Sequence, residues 1–196
     1  MRSVTARGVT RASLVRGGAA VAAGGAALAV WPRDTISARS AKQDAEILKF
    51  ALVVEDLQSA FYAAALDRGA LDGELLEYAR VVSQHEKAHA DHIRTALGAS
   101  APAAPTFDFG DSVESPDSFA ATAIKLEDLG LSAYNGAAPS LTAGALADAA
   151  RIVSVEARHV SWIRDIVGKV PAPRPTDKAI SAKQAQAAIQ ATGFVR

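Results

Sequence analysis

Glu86-Lys87-Ala88-His89 recurs in the second half of this 196-residue chain as Glu156-Ala157-Arg158-His159, and these two Glu-x-x-His motifs contain two of its four histidines. A further glutamate precedes each motif at a similar distance along the chain, Glu55 before the first and Glu127 before the second. In a helix, a glutamate and a histidine three positions apart lie about one turn apart on the same face, so both can reach one ion. Four glutamates and two histidines in two equivalent halves therefore predict a dinuclear metal site inside a four-helix bundle.

All six candidate ligands lie on the apolar faces of helices that the spacing of hydrophobic residues predicts. Every glutamate stands in mid-helix, where a buried face would otherwise carry leucine. Burying four carboxylates without compensation would cost several kcal/mol each. Two divalent cations would balance the four charges, and the two imidazoles could bind as neutral ligands. The four predicted helices cover about residues 44–68, 74–97, 115–136 and 140–168.

The lengths of the connections predict the topology. Short turns join the first helix to the second and the third to the fourth, which is typical of antiparallel hairpins, whereas the Pro-rich segment 99–116 is long enough to cross the length of a bundle. A short helix is predicted at about residues 181–191, after a Pro-rich linker. The sequence therefore predicts an all-α protein in three parts: an N-terminal segment (1–40), a four-helix bundle with one long crossover (41–170), and a linker with a helical tail (171–196).

The two predicted hairpins repeat each other in sequence. Glu55-Asp56-Leu57, followed by Tyr62, matches Glu127-Asp128-Leu129, followed by Tyr134 at the same spacing. The two Glu-x-x-His motifs match at nearly the same offset along the chain, and each is followed by an isoleucine and an arginine. A duplicated helical hairpin explains this register and predicts a bundle with approximate twofold symmetry.

The composition argues against several classes of protein. Basic and acidic residues are equal at 21 each, and no basic stripe follows any predicted helix, so a nucleic-acid partner is not expected. The chain has no cysteine, which excludes disulfides, thiolate metal sites and cysteine nucleophiles. Residues 1–40 hold six of the basic residues and one of the acidic residues, so the remainder has a formal charge of about −5, which suits the binding of cations.

The N-terminal segment has the features of an export signal. An uncharged, weakly apolar run at residues 17–30 follows four arginines and is too short to span a bilayer comfortably. Residues 10–16 (TRASLVR) resemble a twin-arginine signal, except that Ala12 stands where the second arginine belongs. We therefore predict export to the periplasm, the cell wall or the exterior, with a membrane tether as the alternative if the signal is not cleaved.

The chain resembles the ferritin-like superfamily, and within it the exported bacterial ferritin-like-domain proteins that include desiccation-related proteins. The resemblance lies in the Glu plus Glu-x-x-His ligand set and in the surrounding sequence, and it covers about residues 44–168. It implies a ferritin-like four-helix bundle in which Glu86 and Glu156 bridge two metal ions. The remaining assignments implied by the resemblance are two terminal ligands, one on each ion (Glu55 and Glu127), and two capping imidazoles, one on each ion (His89 and His159).

Tyr62 and Tyr134 each follow a candidate ligand by seven residues, which is two turns along the same helix face. Each hydroxyl could hydrogen-bond a bridging carboxylate or relay electrons during dioxygen chemistry. The alternative is core packing with a satisfied hydroxyl group.

Four further polar residues flank the candidate ligands. His85 and His92 form a stripe with His89 that could indicate a zinc site, but surface positions, or contacts with a ligand, explain them better. Asp56 and Asp128 each follow a candidate ligand directly. They could orient a ligand on a neighbouring helix, and solvated positions explain them equally well.

Two hypotheses for function follow from these residues. The leading one is an exported oxidoreductase with two iron ions, which reacts with dioxygen or peroxide as a ferroxidase or peroxide-consuming enzyme in oxidative or desiccation stress. Manganese with catalase-like turnover is an alternative on the same ligands, and zinc could also occupy them. The rival is a non-enzymatic, stress-protective metal-binding bundle at the cell envelope, with the tail binding a partner. The sequence leaves a homodimer as an alternative, whereas the long crossover and the tail do not suit the shell of a storage cage.

Overall fold

The computed structural model describes residues 39–196, and this part of the chain is all-α, as predicted. Its helices are α1 (Ala41–Arg68), α2 (Gly73–Leu97), α3 (Pro116–Ala137), α4 (Ala143–Ile166) and α5 (Ala182–Thr192). The predicted export segment lies outside the described residues, except for its last two positions. Across 39–196, no helix is both long enough and apolar enough to cross a membrane.

The helix ends follow local capping signals. The Ser40 hydroxyl accepts a hydrogen bond from the backbone N–H of Gln43, so α1 begins at residue 41 rather than at about 44 as predicted. Gly69 ends α1 in the left-handed conformation, with φ 69°. Ser115 caps α3 through a reciprocal pair of hydrogen bonds with Ser118, and Pro116 takes the first helical position, as the sequence predicts.

The four long helices form two antiparallel hairpins packed against each other. The helix α1 packs on α2 and α3, while α4 packs on α3 and α2. Tyr62 contacts Glu127 and Tyr134 contacts Glu55, so α1 and α3 run in opposite directions. It follows that α2 and α3 run in the same direction and that residues 98–115 must cross the length of the bundle. This confirms the ferritin-like bundle with one long crossover.

Two apolar clusters lie at opposite ends of the bundle, and the candidate ligands lie between them. One cluster is aromatic: Phe61 stacks on Phe119 with ring centroids 5.4 Å apart, and Phe109 of the crossover packs edge-on against Phe61 at 5.5 Å. The other cluster is aliphatic and includes Leu52, Ile93, Leu141 and Ile152. The metal-site region is thus polar in the middle of an otherwise apolar core.

The C-terminal tail packs on its own bundle. Ala185 and Ile189 of α5 are buried in the aromatic cluster. The backbone N–H of Ile180 donates to the carbonyl of Ser132 on α3 at 3.1 Å, and Val195 forms a bridge with the crossover. The apolar face of the tail is therefore used within the chain.

Gly136 on α3 marks the closest approach of the tail. A Cβ at this position would lie 1.8 Å from the carbonyl oxygen of Ile180, so Gly136→Ala must displace the tail backbone. We expect a loss of about 1–3 kcal/mol in the free energy of unfolding, measured by urea denaturation. Gly144→Ala is the matched control, because its Cβ would meet no atom within 4 Å. Equal stability of the two variants would contradict this packing of the tail.

Candidate metal centre

The four helices bring the six predicted ligand side chains together in the centre of the bundle. All four glutamates are completely buried, and the two histidines are nearly so, with side-chain exposures of 12% for His89 and 3% for His159. Ligand atoms within 4.8 Å of one another form two groups of four residues: Glu55, Glu86, His89 and Glu156; and Glu86, Glu127, Glu156 and His159. Each group contains one histidine, one glutamate of its own and the two shared glutamates.

The distances within each group are short. His89 Nδ1 lies 3.4 Å from Glu55 Oε2, 3.4 Å from Glu86 Oε2 and 3.2 Å from Glu156 Oε1. His159 Nδ1 lies 2.9 Å from Glu86 Oε1 and 3.2 Å from Glu127 Oε2. Glu86 therefore faces one histidine with each carboxylate oxygen, which is the arrangement that a bridging ligand requires.

The donor atoms at the centre fit metal ions. Five atoms of the candidate ligands are buried without a hydrogen-bond partner among residues 39–196: Glu55 Oε2, both carboxylate oxygens of Glu86, His89 Nδ1 and Glu156 Oε1. The carboxylate oxygens among these five atoms lie close to a histidine nitrogen, but the angles are not those of a hydrogen bond. An unpaired buried polar group costs about 1–3 kcal/mol, and more when it is charged. Carboxylate oxygens and imidazole nitrogens are ligands for iron, manganese or zinc, and their convergence is compatible with metal binding.

The comparison with known families agrees with this geometry. The ferritin-like domain family matches residues 43–169, about two thirds of the chain. The chain belongs to this family. No curated protein matches it. The matched segment spans α1 to α4 and contains all six candidate ligands, so the resemblance to the ferritin-like superfamily is confirmed. Membership of the exported or desiccation-related subgroup stays a prediction.

Charge within this ferritin-like centre is balanced by protons when no metal is bound. Burial raises the pKa of Glu55 from its ordinary value near 4.5 to about 8, and it raises the pKa of Glu156 to about 7. Burial alone would lower the pKa of His89, but its contacts with Glu156, Glu55 and Glu86 outweigh burial and raise that pKa to about 12. The same competition raises the pKa of His159 to about 10. Metal ions would therefore displace protons from these groups.

The two tyrosines bind carboxylates of the opposite hairpin. Tyr62 Oη donates to Glu127 Oε1 at 2.6 Å, and Tyr134 Oη donates to Glu55. Glu127 and Glu55 each belong to only one ligand group. The sequence had instead suggested a bridging glutamate, shared by both groups, as the partner of each tyrosine. Tyr78 extends the contact on one side only, with its hydroxyl 3.0 Å from that of Tyr62.

The aspartates that follow the candidate ligands pair with arginines. Arg94 of α2 binds Asp56 of α1, and Arg164 of α4 binds Asp128 of α3 at 2.6 and 2.7 Å. These ion pairs tie the two helices of each hairpin together at equivalent places in the repeat. Neither aspartate orients a candidate ligand.

His85 contacts the site, whereas His92 does not. His85 Nδ1 lies 2.9 Å from His159 Nε2, so the outer nitrogen of His159 has a partner while its inner nitrogen faces the glutamates. His92 is exposed, and no hydrogen bond or ion pair from it to the candidate ligands is present. The three-histidine zinc stripe is therefore not formed as one cluster in the described part of the chain.

A surface cavity of about 440 Å³ reaches the histidine edge of the centre between α2 and α4. Its lining includes His85, His89, His159, Arg158 and Trp162. His89 and His159 line this cavity, while the carboxylates of the ferritin-like centre lie buried behind them.

Gln58 is a site residue that the sequence analysis did not single out. Its side chain is completely buried, and its amide nitrogen lies 3.3 Å from both Glu127 Oε1 and Glu156 Oε2. Its spacing could have identified it in the sequence, because Gln58 follows Glu55 by three residues, the same interval that separates glutamate from histidine in Glu-x-x-His.

Replacing the two tyrosines should have unequal effects on metal affinity. Tyr134→Phe removes the hydrogen bond that Glu55 accepts, so we expect about 10–100-fold weaker binding. Tyr62→Phe leaves Glu127 with the Gln58 contact, so a smaller loss is expected. Titration of the anaerobic protein with Co(II), followed by its visible absorption, measures both. Tyr78→Phe is the control because Tyr78 donates to no candidate ligand; a larger loss for Tyr62→Phe than for Tyr134→Phe would contradict this view.

Proposed function

We propose that the protein binds two iron ions at this centre and uses them to reduce dioxygen or hydrogen peroxide. The observation that carries the proposal is the pair of ligand groups that share Glu86 and Glu156, with His89 and His159 lining a surface cavity. When bound, two iron(II) ions each supply one electron, and hydrogen peroxide takes up two electrons and two protons to give two water molecules. The six side chains would be the metal ligands.

The side chains have distinct tasks in this proposal. Glu86 and Glu156 belong to both groups of ligand atoms and would therefore help to hold both ions. Glu55 and Glu127 would each bind one ion, held in place by Tyr134 and Tyr62. The glutamates and tyrosines are buried, so the oxidant would enter at the histidine edge.

The ligand set limits the choice of metal. Oxygen and nitrogen donors without thiolate suit iron and manganese, and zinc also accepts them. Iron is proposed first because four carboxylates and two imidazoles stabilise both its oxidation states. Manganese would support a catalase-like reaction on the same residues, in which peroxide is converted to dioxygen and water.

The test uses the full-length chain, loaded anaerobically with Fe(II) and then mixed with oxygen-saturated or peroxide-containing buffer. A ligand-to-metal absorption band that grows within seconds, with consumption of oxidant, is the expected result. The same experiment with Mn(II) and peroxide, followed with an oxygen electrode, tests the catalase-like variant. Full metal occupancy with no oxidant consumed in either case would support the rival function, a bundle that metals only stabilise.

Export is proposed from the N-terminal sequence alone, and with it a protective role outside the cytoplasm. The charge pattern of residues 1–30 supports this proposal. Fractionation of cells that express the full chain provides the test, with N-terminal sequencing of the product. Recovery of uncleaved protein in the cytoplasmic fraction would overturn it.

A further inference from the structure

Gln58 is an uncharged amide in direct contact with two candidate metal ligands. It is completely buried, and its amide nitrogen is shared between Glu127 Oε1 and Glu156 Oε2 at 3.3 Å each. Its amide oxygen has no hydrogen-bond partner among the described residues. A buried amide with an unpaired oxygen is destabilising for folding, so a contribution to the site is a better account of Gln58 than core packing.

The second hairpin has no equivalent of this amide. When Glu55 is aligned with Glu127 in the repeat, the counterpart of Gln58 is Gly130 on α3. A Cβ on Gly130 would lie 3.0 Å from Glu156 Oε2 and 3.1 Å from the amide oxygen of Gln58. The glycine therefore leaves the space that the glutamine fills, and the surroundings of the ligand set depart from twofold symmetry at this pair of positions.

The broken symmetry gives the two unshared glutamates different surroundings. Glu127 Oε1 accepts hydrogen bonds from Tyr62 and from Gln58, while its other oxygen faces His159. Glu55 accepts from Tyr134, and its Oε2 has no hydrogen-bond partner within residues 39–196. Hydrogen bonds to the outer oxygen of a ligating carboxylate fix its orientation and typically raise metal affinity about 10–100-fold.

We infer that Gln58 makes the two metal positions inequivalent, so that the position formed by Glu86, Glu127, Glu156 and His159 fills before the position that contains Glu55 and His89. Gln58 is a positioning residue in this inference: it touches Glu127 and Glu156, and acts on the ion through them. The inference rests on the proposed metal binding at this centre. It adds that the two positions take up their metal ions one after the other, although both positions have ligands of the same types.

The first test is a titration of the anaerobic full-length chain with Mn(II), followed by electron paramagnetic resonance. One equivalent should give the spectrum of an isolated ion, and the second should convert it to that of a coupled pair. Diffraction from crystals grown with one equivalent, with anomalous scattering from manganese, should place the ion beside Glu127 and His159. Placement beside Glu55 and His89, or equal occupancy of both positions, overturns the inference and leaves the proposed function intact.

The second test replaces the amide by an apolar side chain of similar size. Gln58→Leu should weaken the first binding step about 10–100-fold, with the number of ions at saturation unchanged. Gln186→Leu is the matched control because Gln186 lies on the exposed side of α5. Unchanged affinity of the first step in a folded Gln58→Leu protein overturns the inference. If the wild-type chain binds less than one ion at saturation, the inference and the proposed function fail together.

Discussion

Glu86→Ala is expected to remove metal binding at both positions of the centre. Glu86 is completely buried, and its two oxygens lie 2.9 Å from His159 Nδ1 and 3.4 Å from His89 Nδ1. Glu86 belongs to both ligand groups, so neither ion would keep its full set of ligands without it. Since losing a hydrogen-bond partner of a ligand already costs about 10–100-fold in affinity, we expect a loss of more than about 100-fold at each position.

Equilibrium dialysis against Mn(II), with metal analysis of the protein, measures this loss. His92→Ala is the control, because His92 is exposed and lies on the same helix, and it should bind as the wild type does. Circular dichroism of both variants checks that the bundle is folded. Binding of two ions by a folded Glu86→Ala protein would contradict the assignment of Glu86 as a shared ligand.

The stability of the metal-free protein should depend strongly on pH. In the metal-free protein the pKa of Glu55 is raised from near 4.5 to about 8, and the pKa of His159 from near 6.5 to about 10. A raised pKa in the folded state stabilises the protein fully below the unfolded pKa, and this stabilisation is lost as the pH rises through the folded pKa. The metal-free protein should therefore lose stability between about pH 4.5 and pH 10.

Metal ions should reverse this trend, because they replace protons that the ligands must release. At a free metal concentration of about one hundred times Kd, binding adds roughly 2.7 kcal/mol per site, which for two sites on a bundle of this size predicts a rise in Tm of about 10–20 °C. At one fixed metal concentration, the rise should grow from pH 6 to pH 9, because Kd falls as the ligands lose their protons. Thermal unfolding with and without Mn(II) measures it, and a rise in Tm that shrinks with pH would contradict the model of proton displacement.

The sequence was sufficient to predict the helices and the gathering of the six side chains. Glu86, His89, Glu156 and His159 could be found because a helix fixes the geometry of residues three positions apart. The hairpin repeat then connected them to Glu55 and Glu127. These inferences depend on local helix geometry and on loop length, both of which are encoded over short stretches of chain.

Contacts between helices were harder to predict. The sequence placed Tyr62 on the same face as Glu55, yet its hydroxyl binds Glu127. Because α1 and α3 run antiparallel, the tyrosine of each helix lies beside the glutamate of the other helix. Gln58 was missed for a different reason. The helix faces were predicted from the spacing of hydrophobic residues, and a polar side chain such as Gln58 does not enter that spacing, although it is buried in α1.

Metal content shows whether each chain holds two metal ions between Glu86 and Glu156. The full-length chain is loaded anaerobically with excess Fe(II), or separately with Mn(II), and freed of unbound metal, and the ratio of metal to protein is then measured by plasma mass spectrometry. Two ions per chain are expected. Fewer than one ion per chain under both conditions would contradict a dinuclear site.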